Sequence, residues 1–553
     1  MVNQDFLDLW REEGLRQIPQ NFEVFRSLVA QTRDFTEQGK YDVAAVYAKI
    51  AASYADFKHC GFFVSPELEH LLIEIGQKTI TKKSYFNPSK FGSKTPENIL
   101  HVATCMQYLG GHSRMLLRWI KQDTERSHSL VVTDEPREAI PKSLKEAVSN
   151  SGGHIYVLRE TIGSLISWAK RLRQIAASVD LVVLHIFEYD VVPIIAFANK
   201  KASPPIIFSN FNDHNFWLGV GISDVVANLR ESGKRHSEKH RGVETKRNAL
   251  LPTILEPTQR ILSRAEAKQQ LGLPKNSILL LSIARAPKYK TIDGISYADA
   301  HVSLLEKYEQ AFLIVVGSGY RKDWSNAIEQ TQGRIIPYEQ NPDTALFLQA
   351  ADIYVDSFPF VSNTSLLEAG SYGLPLVSRY PYSSQACELL GADMLGLTGN
   401  LIRVSNLEEY VLVLSRLIED EEFRLNLGEA TRQKIIETHI GINWQRYLND
   451  LYQLATVLPR LTEPLLTIDQ MCLGEPNVFL PSIYGLDLNL EHLIRNNLKL
   501  MPFDQRLYHW FRLAKKTKLS NSTERLLWLK DLMPEWFIQR LKKFLGYYQN
   551  PEF

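Results

Sequence analysis

The chain has 553 residues, room for several domains of about 150 residues each. Hydrophobic residues make up 44% and charged residues 23%, the balance of a globular protein with a sizeable core. A formal net charge of +1 supplies no overall field to recruit nucleic acid, so no nucleic-acid partner is expected.

Cys60, Cys105, Cys387 and Cys472 are scattered and form no CxxC pair. That spacing argues against a disulfide framework or a zinc site and fits a reducing cytoplasm. The first residues, MVNQDFLDLWREE, lack the basic start and apolar stretch of a signal peptide. No run of about 18 apolar residues occurs, so no membrane span is expected and the location read from sequence is cytoplasmic.

Residues 1–95 read as a helical region. Apolar residues recur at helical spacing over Asn21–Gly39 and Tyr41–Phe57, with Gly39 as punctuation, and Ser65-Pro66 is a capped helix start. GKYDVAAVYAKIAASY resembles one hairpin of a tetratricopeptide repeat, but no second copy follows at a fixed period. From residue 96 short apolar runs alternate with helical segments: NILHVATCM, SRMLLRWIKQ, SLVVT, HIYVL, LISWAKRLRQIA, DLVVLHI and PPIIFSN. This is the rhythm of βαβ units on a parallel sheet. LLPTILEP (Leu250 to Pro257), preceded by the polar RESGKRHSEKHRGVETKRN, reads as a joint and a hinge. The alternation then restarts with SILLLSIA, AFLIVVGSG, GRIIPY, ADIYVDSF and LPLVSRYP. The fold class expected is α/β with two Rossmann-like domains facing across a cleft, at 96–252 and 253–457. A helical region (1–95) precedes them and a helical, aromatic and basic extension (458–553) follows.

Four constellations carry candidate chemistry. Gly110 and Gly111 stand between a strand and a helix, where backbone can approach a phosphate closely; a tight turn without a ligand needs the same residues. Arg285, Lys288 and Lys290 lie just past the SILLLSIA strand, placed to neutralise a diphosphate, though lysines in loops are often only solvated. Asn363, Thr364 and Ser365 open a helix with free N–H groups, and Glu368 one turn on can accept bonds from ribose hydroxyls or serve only the helix dipole. Asp213 and His214 follow the PPIIF strand, where the histidine can act as a base or donor or be merely structural.

The order of these motifs resembles that of GT-B glycosyltransferases, above all the group 1 family. Gly110-Gly111 matches the family's glycine-rich loop. Arg285 and Lys290 have the spacing of its diphosphate-binding pair. Glu368-Ala369-Gly370-Ser371-Tyr372-Gly373-Leu374-Pro375 matches its ribose-binding segment. The family usually has a further glutamate eight residues before the ribose-binding one; here Phe360 stands there. DSFPFVSNTSLLEAG also resembles the equivalent stretch of O-linked N-acetylglucosamine transferases, which leaves the stereochemical outcome open. The resemblance implies transfer of a sugar from a nucleotide-diphosphate sugar to an acceptor: a glycan, lipid, protein or metabolite. It implies no metal and no cofactor, because such enzymes stabilise the leaving diphosphate with cations and helix N-termini.

Two readings from other classes stand beside it: a catalytically degenerate scaffold that binds sugar nucleotides or proteins, and an epimerase of the same shape. The tail, with DQRLYHWFRLAKKTKLS and PEWFIQRLKKFLGYY, also has two. Trp510 and Trp536 are large enough to anchor it on the Rossmann units, the favoured reading. Its basic and aromatic residues equally suit peripheral contact with an anionic membrane.

Overall fold

The computed structural model describes residues 5–80, 95–106, 110–292, 294–383, 386–461, 470–486, 488–516 and 529–544. Residues 517–520 and 545–548 of the two tail segments lie outside the described residues. The strands form two all-parallel sheets. The first holds β1 (Asn98–Ala103), β2 (Ser127–Val132), β3 (Ile155–Val157), β4 (Leu181–His185), β5 (Ile206–Asn210), β6 (Val225–Asn228) and β7 (Asn248–Leu250). The second holds β8 (Ile278–Ile283), β9 (Ala311–Val316), β10 (Ile335–Tyr338), β11 (Ile353–Val355), β12 (Leu376–Arg379) and β13 (Leu401–Val404). Their orders are β3-β2-β1-β4-β5-β6-β7 and β10-β9-β8-β11-β12-β13. Each winds outward from its first strand and then jumps to the other side, as a Rossmann sheet does. The order reverses between β1 and β4 and between β8 and β11, where the loops leaving the carboxyl ends diverge and ligands bind in such sheets.

The chain divides into two compact units: residues 13–228, 233–250 and 448–553, and residues 1–12, 229–232 and 251–447. In the first, successive residues of β1 point to opposite faces. Leu100 and Val102 join a core with the N-terminal helices and tail residues such as Leu493 and Leu498. Ala103 packs on the other side with Met106, Leu116 and Ile120, from the loop and helix that follow β1. In the second unit, Leu280 and Val315 serve one face and Leu279, Leu281 and Ile314 the other. Burial on both faces is why these strands read as continuous apolar runs.

The helix Tyr41–Phe57 explains how a lone hairpin persists without repeats. Val43 through Ala55 are all buried, so the helix has no wet face and lies inside the first core. The next helix, Pro66–Thr79, is capped by Ser65, whose hydroxyl accepts the Leu68 N–H at 3.2 Å. It comes so close to its neighbour that a Cβ at Gly76 would stand 2.3 Å from the Ile195 carbonyl oxygen.

The elements differ from the expectation in three places. The first helix begins at Asp5, not Asn21, and carries Pro19 inside it. The polar run before the expected joint is the helix Glu231–Arg241, and Leu250 closes β7, so extended edge pairing takes the first residue of the joint. Among the described residues no helix is long and apolar enough to cross a membrane.

Candidate active site

In the second unit, the loops leaving β8 and β11 are stitched together at the switch point. The Lys290 N–H donates to the Phe358 carbonyl at 3.3 Å, and Tyr289 pairs with Pro359 in an antiparallel bridge. Lys288 Nζ donates to the Val361 carbonyl at 3.0 Å and lies 4.7 Å from the centre of the Phe360 ring. Lys288 is thus a brace between the two loops, and the aromatic face of Phe360 meets its ammonium. Burial pulls its pKa down to about 8, with Asp356 opposing and Arg285 adding to the fall. Burial also lowers that of Lys290, which is half-buried, whereas Arg285 is exposed.

Asp356 anchors the second loop. Its carboxylate accepts the N–H groups of Ser357 (2.9 Å) and Ser362 (3.0 Å) and the Ser378 hydroxyl (3.1 Å). Burial raises its pKa to about 6 against these bonds and the charge of Lys288. The helix Asn363–Ser371 starts from this loop with Ser362 at the cap position. Ser362 bonds Ser365 Oγ at 3.1 Å, and its carbonyl takes the first intrahelical bond, from Leu366. The N–H groups of Asn363, Thr364 and Ser365 therefore face outward at the positive end of the helix dipole. Asn363 Oδ1, buried at this end, has no hydrogen-bond partner among the described residues. Glu368 is half-buried one turn further on, and the helix stops at Gly373, whose φ of +73° only glycine adopts freely. A cavity of about 620 Å³ lies at the opposite end, lined by Arg260, Arg264, Tyr372 and Arg432 among others. Arg260 there spends its donors on the Tyr372 and Gln349 carbonyls, closing two helix ends.

In the first unit, the candidate residues lie at the carboxyl edge. Gly110 caps the helix Gly111–Gln122 with extended backbone, and His112 in its first turn stacks on Phe211 at 3.9 Å. That stack joins the β1 loop to the β5 loop carrying Asp213 and His214. His214 Nδ1 is 3.8 Å from Asp213 Oδ1, too far for a hydrogen bond, and its ring stacks on Tyr484 of the tail at 4.3 Å. The loop is shaped by Arg241, whose Nη2 donates to the carbonyls of Asp213 (2.8 Å) and Asn215 (2.7 Å). Its guanidinium is buried 4.9 Å from the Trp217 ring, and burial lowers its pKa to about 9.

Residues 263–434 match the family described as glycosyl transferases group 1. The D-inositol 3-phosphate glycosyltransferase of Thermobifida fusca (strain YX) is 28% identical over 266 residues, 44% of this chain and 58% of that protein. The chain therefore spans little more than half the length of this curated relative. The glycosyltransferase of Rickettsia africae ESF-5 superposes with a TM-score of 0.50 at 13% identity, over 66% of this chain and 100% of that one. Anabaena Alr3699/HepE in complex with UDP and glucose gives a TM-score of 0.50 at 15% identity, over 65% of this chain and 99% of that one. These likenesses show the two-Rossmann GT-B fold.

The group 1 segment takes in the loops after β8 and β11, the helix Asn363–Ser371 and Glu368. Several polar residues at the first sheet's carboxyl edge escaped the sequence reading. Asp56, from the helix Tyr41–Phe57, takes the Asn215 amide at 2.7 Å, and Glu188 after β4 takes that of Asn212 at 2.6 Å. Burial and mutual repulsion raise the pKa of Asp56, and burial raises that of Glu188 to about 7. Glu188 follows a strand read correctly and was within reach of the sequence. Asp56 and Arg241 sit on helices whose partners only the fold reveals. Among the described residues no group of three or more His, Cys, Asp and Glu side chains is arranged to hold a metal ion.

Proposed function

We propose that the protein transfers a sugar from a nucleotide-diphosphate sugar to an acceptor. One observation supports this reading most: the loop that carries Arg285 and Lys290 is stitched to the loop that leads into the helix opened by Asn363, Thr364 and Ser365, within the group 1 segment. Cations and a helix N-terminus at one point make a binding place for a diphosphate and offset the charge that grows on it as the sugar leaves. Glu368 takes the ribose hydroxyls, and Lys288 acts on the diphosphate through the loops it braces. At the first sheet's carboxyl edge, Gly110 and Gly111 offer backbone N–H groups, and Asp213 and His214 line the sugar and acceptor side. No metal or cofactor is needed for these roles, since protein cations meet the developing charge. The tail adds peripheral contact with an anionic membrane. Its support is a face of the helix Phe503–Lys516 on which exposed Tyr508 and Phe511 stand beside Arg512, Lys515 and Lys516.

The test is calorimetric titration with a panel of nucleotide diphosphates and nucleotide sugars, uridine diphosphate among them, followed by assay of nucleotide release with and without candidate acceptors. Binding at about 100 times the dissociation constant should stabilise the protein by roughly 2.7 kcal/mol. Binding without release under any acceptor would favour the scaffold reading, and no binding of any nucleotide diphosphate sinks both.

A further inference from the structure

Three histidines cross the first sheet in one hydrogen-bonded line. His128 is the second residue of β2, His101 stands in β1 and His185 ends β4, each shifted along its strand from the last. His128 Nε2 faces the Asp123 carbonyl oxygen at 3.0 Å and the Asp123 carboxylate at 3.4 Å. His128 Nδ1 faces His101 Nε2 at 3.0 Å, and His101 Nδ1 faces His185 Nε2 at 3.0 Å. All three rings are fully buried. A carbonyl oxygen only accepts, so His128 carries its proton on Nε2. In neutral rings that choice propagates: His101 and His185 are also Nε2–H, and His185 presents a bare lone pair on Nδ1. That atom is buried with no partner among the described residues, and so is Nε2 of His112, whose ring centre is 5.7 Å from that of His185.

We propose that Asp123, His128, His101 and His185 form a proton relay across the first sheet, taking up at its carboxyl edge the proton lost by an acceptor hydroxyl. This rests on the reading of the protein as a glycosyltransferase. One proton enters at His185 Nδ1. The Nε2 proton of His185 passes to His101 Nδ1, and that of His101 Nε2 to His128 Nδ1. No proton is lost within the line, and the positive charge comes to rest on His128 beside the Asp123 carboxylate. The other groups facing this end are Arg126, 2.5 Å from Asp123 Oδ1, and Tyr452, whose hydroxyl donates to Asp123 Oδ2 at 3.2 Å. At the far end His185 faces His112 and the edge of Trp119. Burial lowers the pKa of His101 and His185, which keeps these two rings neutral at rest, whereas His128 has the Asp123 carboxylate beside it.

Ring spectra of the full chain labelled with 15N-histidine, acidified from about pH 8 to about pH 5, test this directly. The expected result is the Nε2–H form of all three rings at the start and His128 as the first imidazolium. Asp123→Asn keeps the backbone carbonyl, so the tautomers stay while protonation of His128 moves down by about one pH unit or more. An Nδ1–H ring in the line, or His185 charging first, overturns the relay. In the transfer assay, Asp123→Asn and His101→Gln, which keeps a donor and an acceptor but passes no proton, should each lower kcat roughly tenfold or more with KM unchanged. Unchanged kcat in both, with the wild type active, also overturns it. A wild type that transfers no sugar sinks the glycosyltransferase reading alone, and the spectra still decide the relay.

Discussion

Glu368 sits one turn inside the helix Asn363–Ser371, where its carboxylate is held by the helix and not by a flexible loop. Charge-assisted bonds from ribose hydroxyls should therefore be lost, not rerouted, in Glu368→Gln. Calorimetry should show nucleotide binding weakened by about 1.5–3 kcal/mol; unchanged affinity removes Glu368 from the ribose. Arg285 is exposed, and in the proposed transfer it would meet charge that grows as the diphosphate departs, so Arg285→Ala should lower kcat more than it raises KM. Lys288 gives a pH dependence. Burial has lowered its pKa to about 8, so the ammonium that holds the Val361 carbonyl and the Phe360 ring is lost as pH rises through that value. Nucleotide affinity should fall between about pH 8 and about pH 9 in the wild type and stay level in Lys288→Arg, whose guanidinium remains charged. Equal profiles would show that the brace does not govern the site. The spacing of Arg285, Lys290 and Glu368 was readable because each follows, within a loop or the helix after it, a strand that shows as an apolar run. That Lys288 is tied to the Phe360 loop was not, since the Lys290–Phe358 bond and the pairing of Tyr289 with Pro359 that bring the two loops together are set by the fold.

At the level of elements, the N-terminal helices are part of the first sheet's core and also shape the edge where the candidate residues lie. The helix Pro66–Thr79 carries Glu69, fully buried, which accepts the N–H groups of Gly219, Val220 (3.2 Å) and Gly221 (3.1 Å) just before β6. Glu69→Ala leaves three donors, two of them buried, without this acceptor. The expected loss is about 2–4 kcal/mol, read as a drop of several degrees in the thermal midpoint. A midpoint within one degree of the wild type, on the order of 0.3 kcal/mol or less, would mean that the turn finds other partners. Strand runs such as NILHVATCM and AFLIVVGSG were legible because parallel strands buried on both faces are apolar throughout. The helix Glu231–Arg241 was not, because the residues it buries include Arg241, His236 and Ser237, whose polarity hides the helical period. The short edge strand β7 escaped because Asn248–Leu250 is only three residues long and pairs with β6 on one side only.

For the whole molecule, the open question is what the tail does beyond covering the first core. Its inward residues pack as the favoured reading expects: Leu513 is buried, Trp510 lies against the first core, and His509 Nε2 is 2.8 Å from the Tyr47 hydroxyl. Composition could not separate that role from a membrane role, because both use aromatic and basic residues at helical spacing; only the direction each side chain takes divides them. The helix Phe503–Lys516 presents both faces. Phe503, Tyr508 and Phe511 are 65%, 59% and 54% exposed, and Arg512, Lys515 and Lys516 are exposed around them. Aromatics that can enter the headgroup region, ringed by cations worth about 1 kcal/mol each near an anionic surface, give weak and salt-sensitive binding. The full chain should therefore sediment with vesicles containing anionic lipid at low salt and be released as salt rises. Replacing Tyr508 and Phe511 by serine leaves Arg506, His509 and Leu513 in the core and should abolish sedimentation without lowering the thermal midpoint. If the double variant sediments as the wild type does, or neither sediments at low salt, this face does not meet a membrane, and a lipid becomes the least supported of the acceptors.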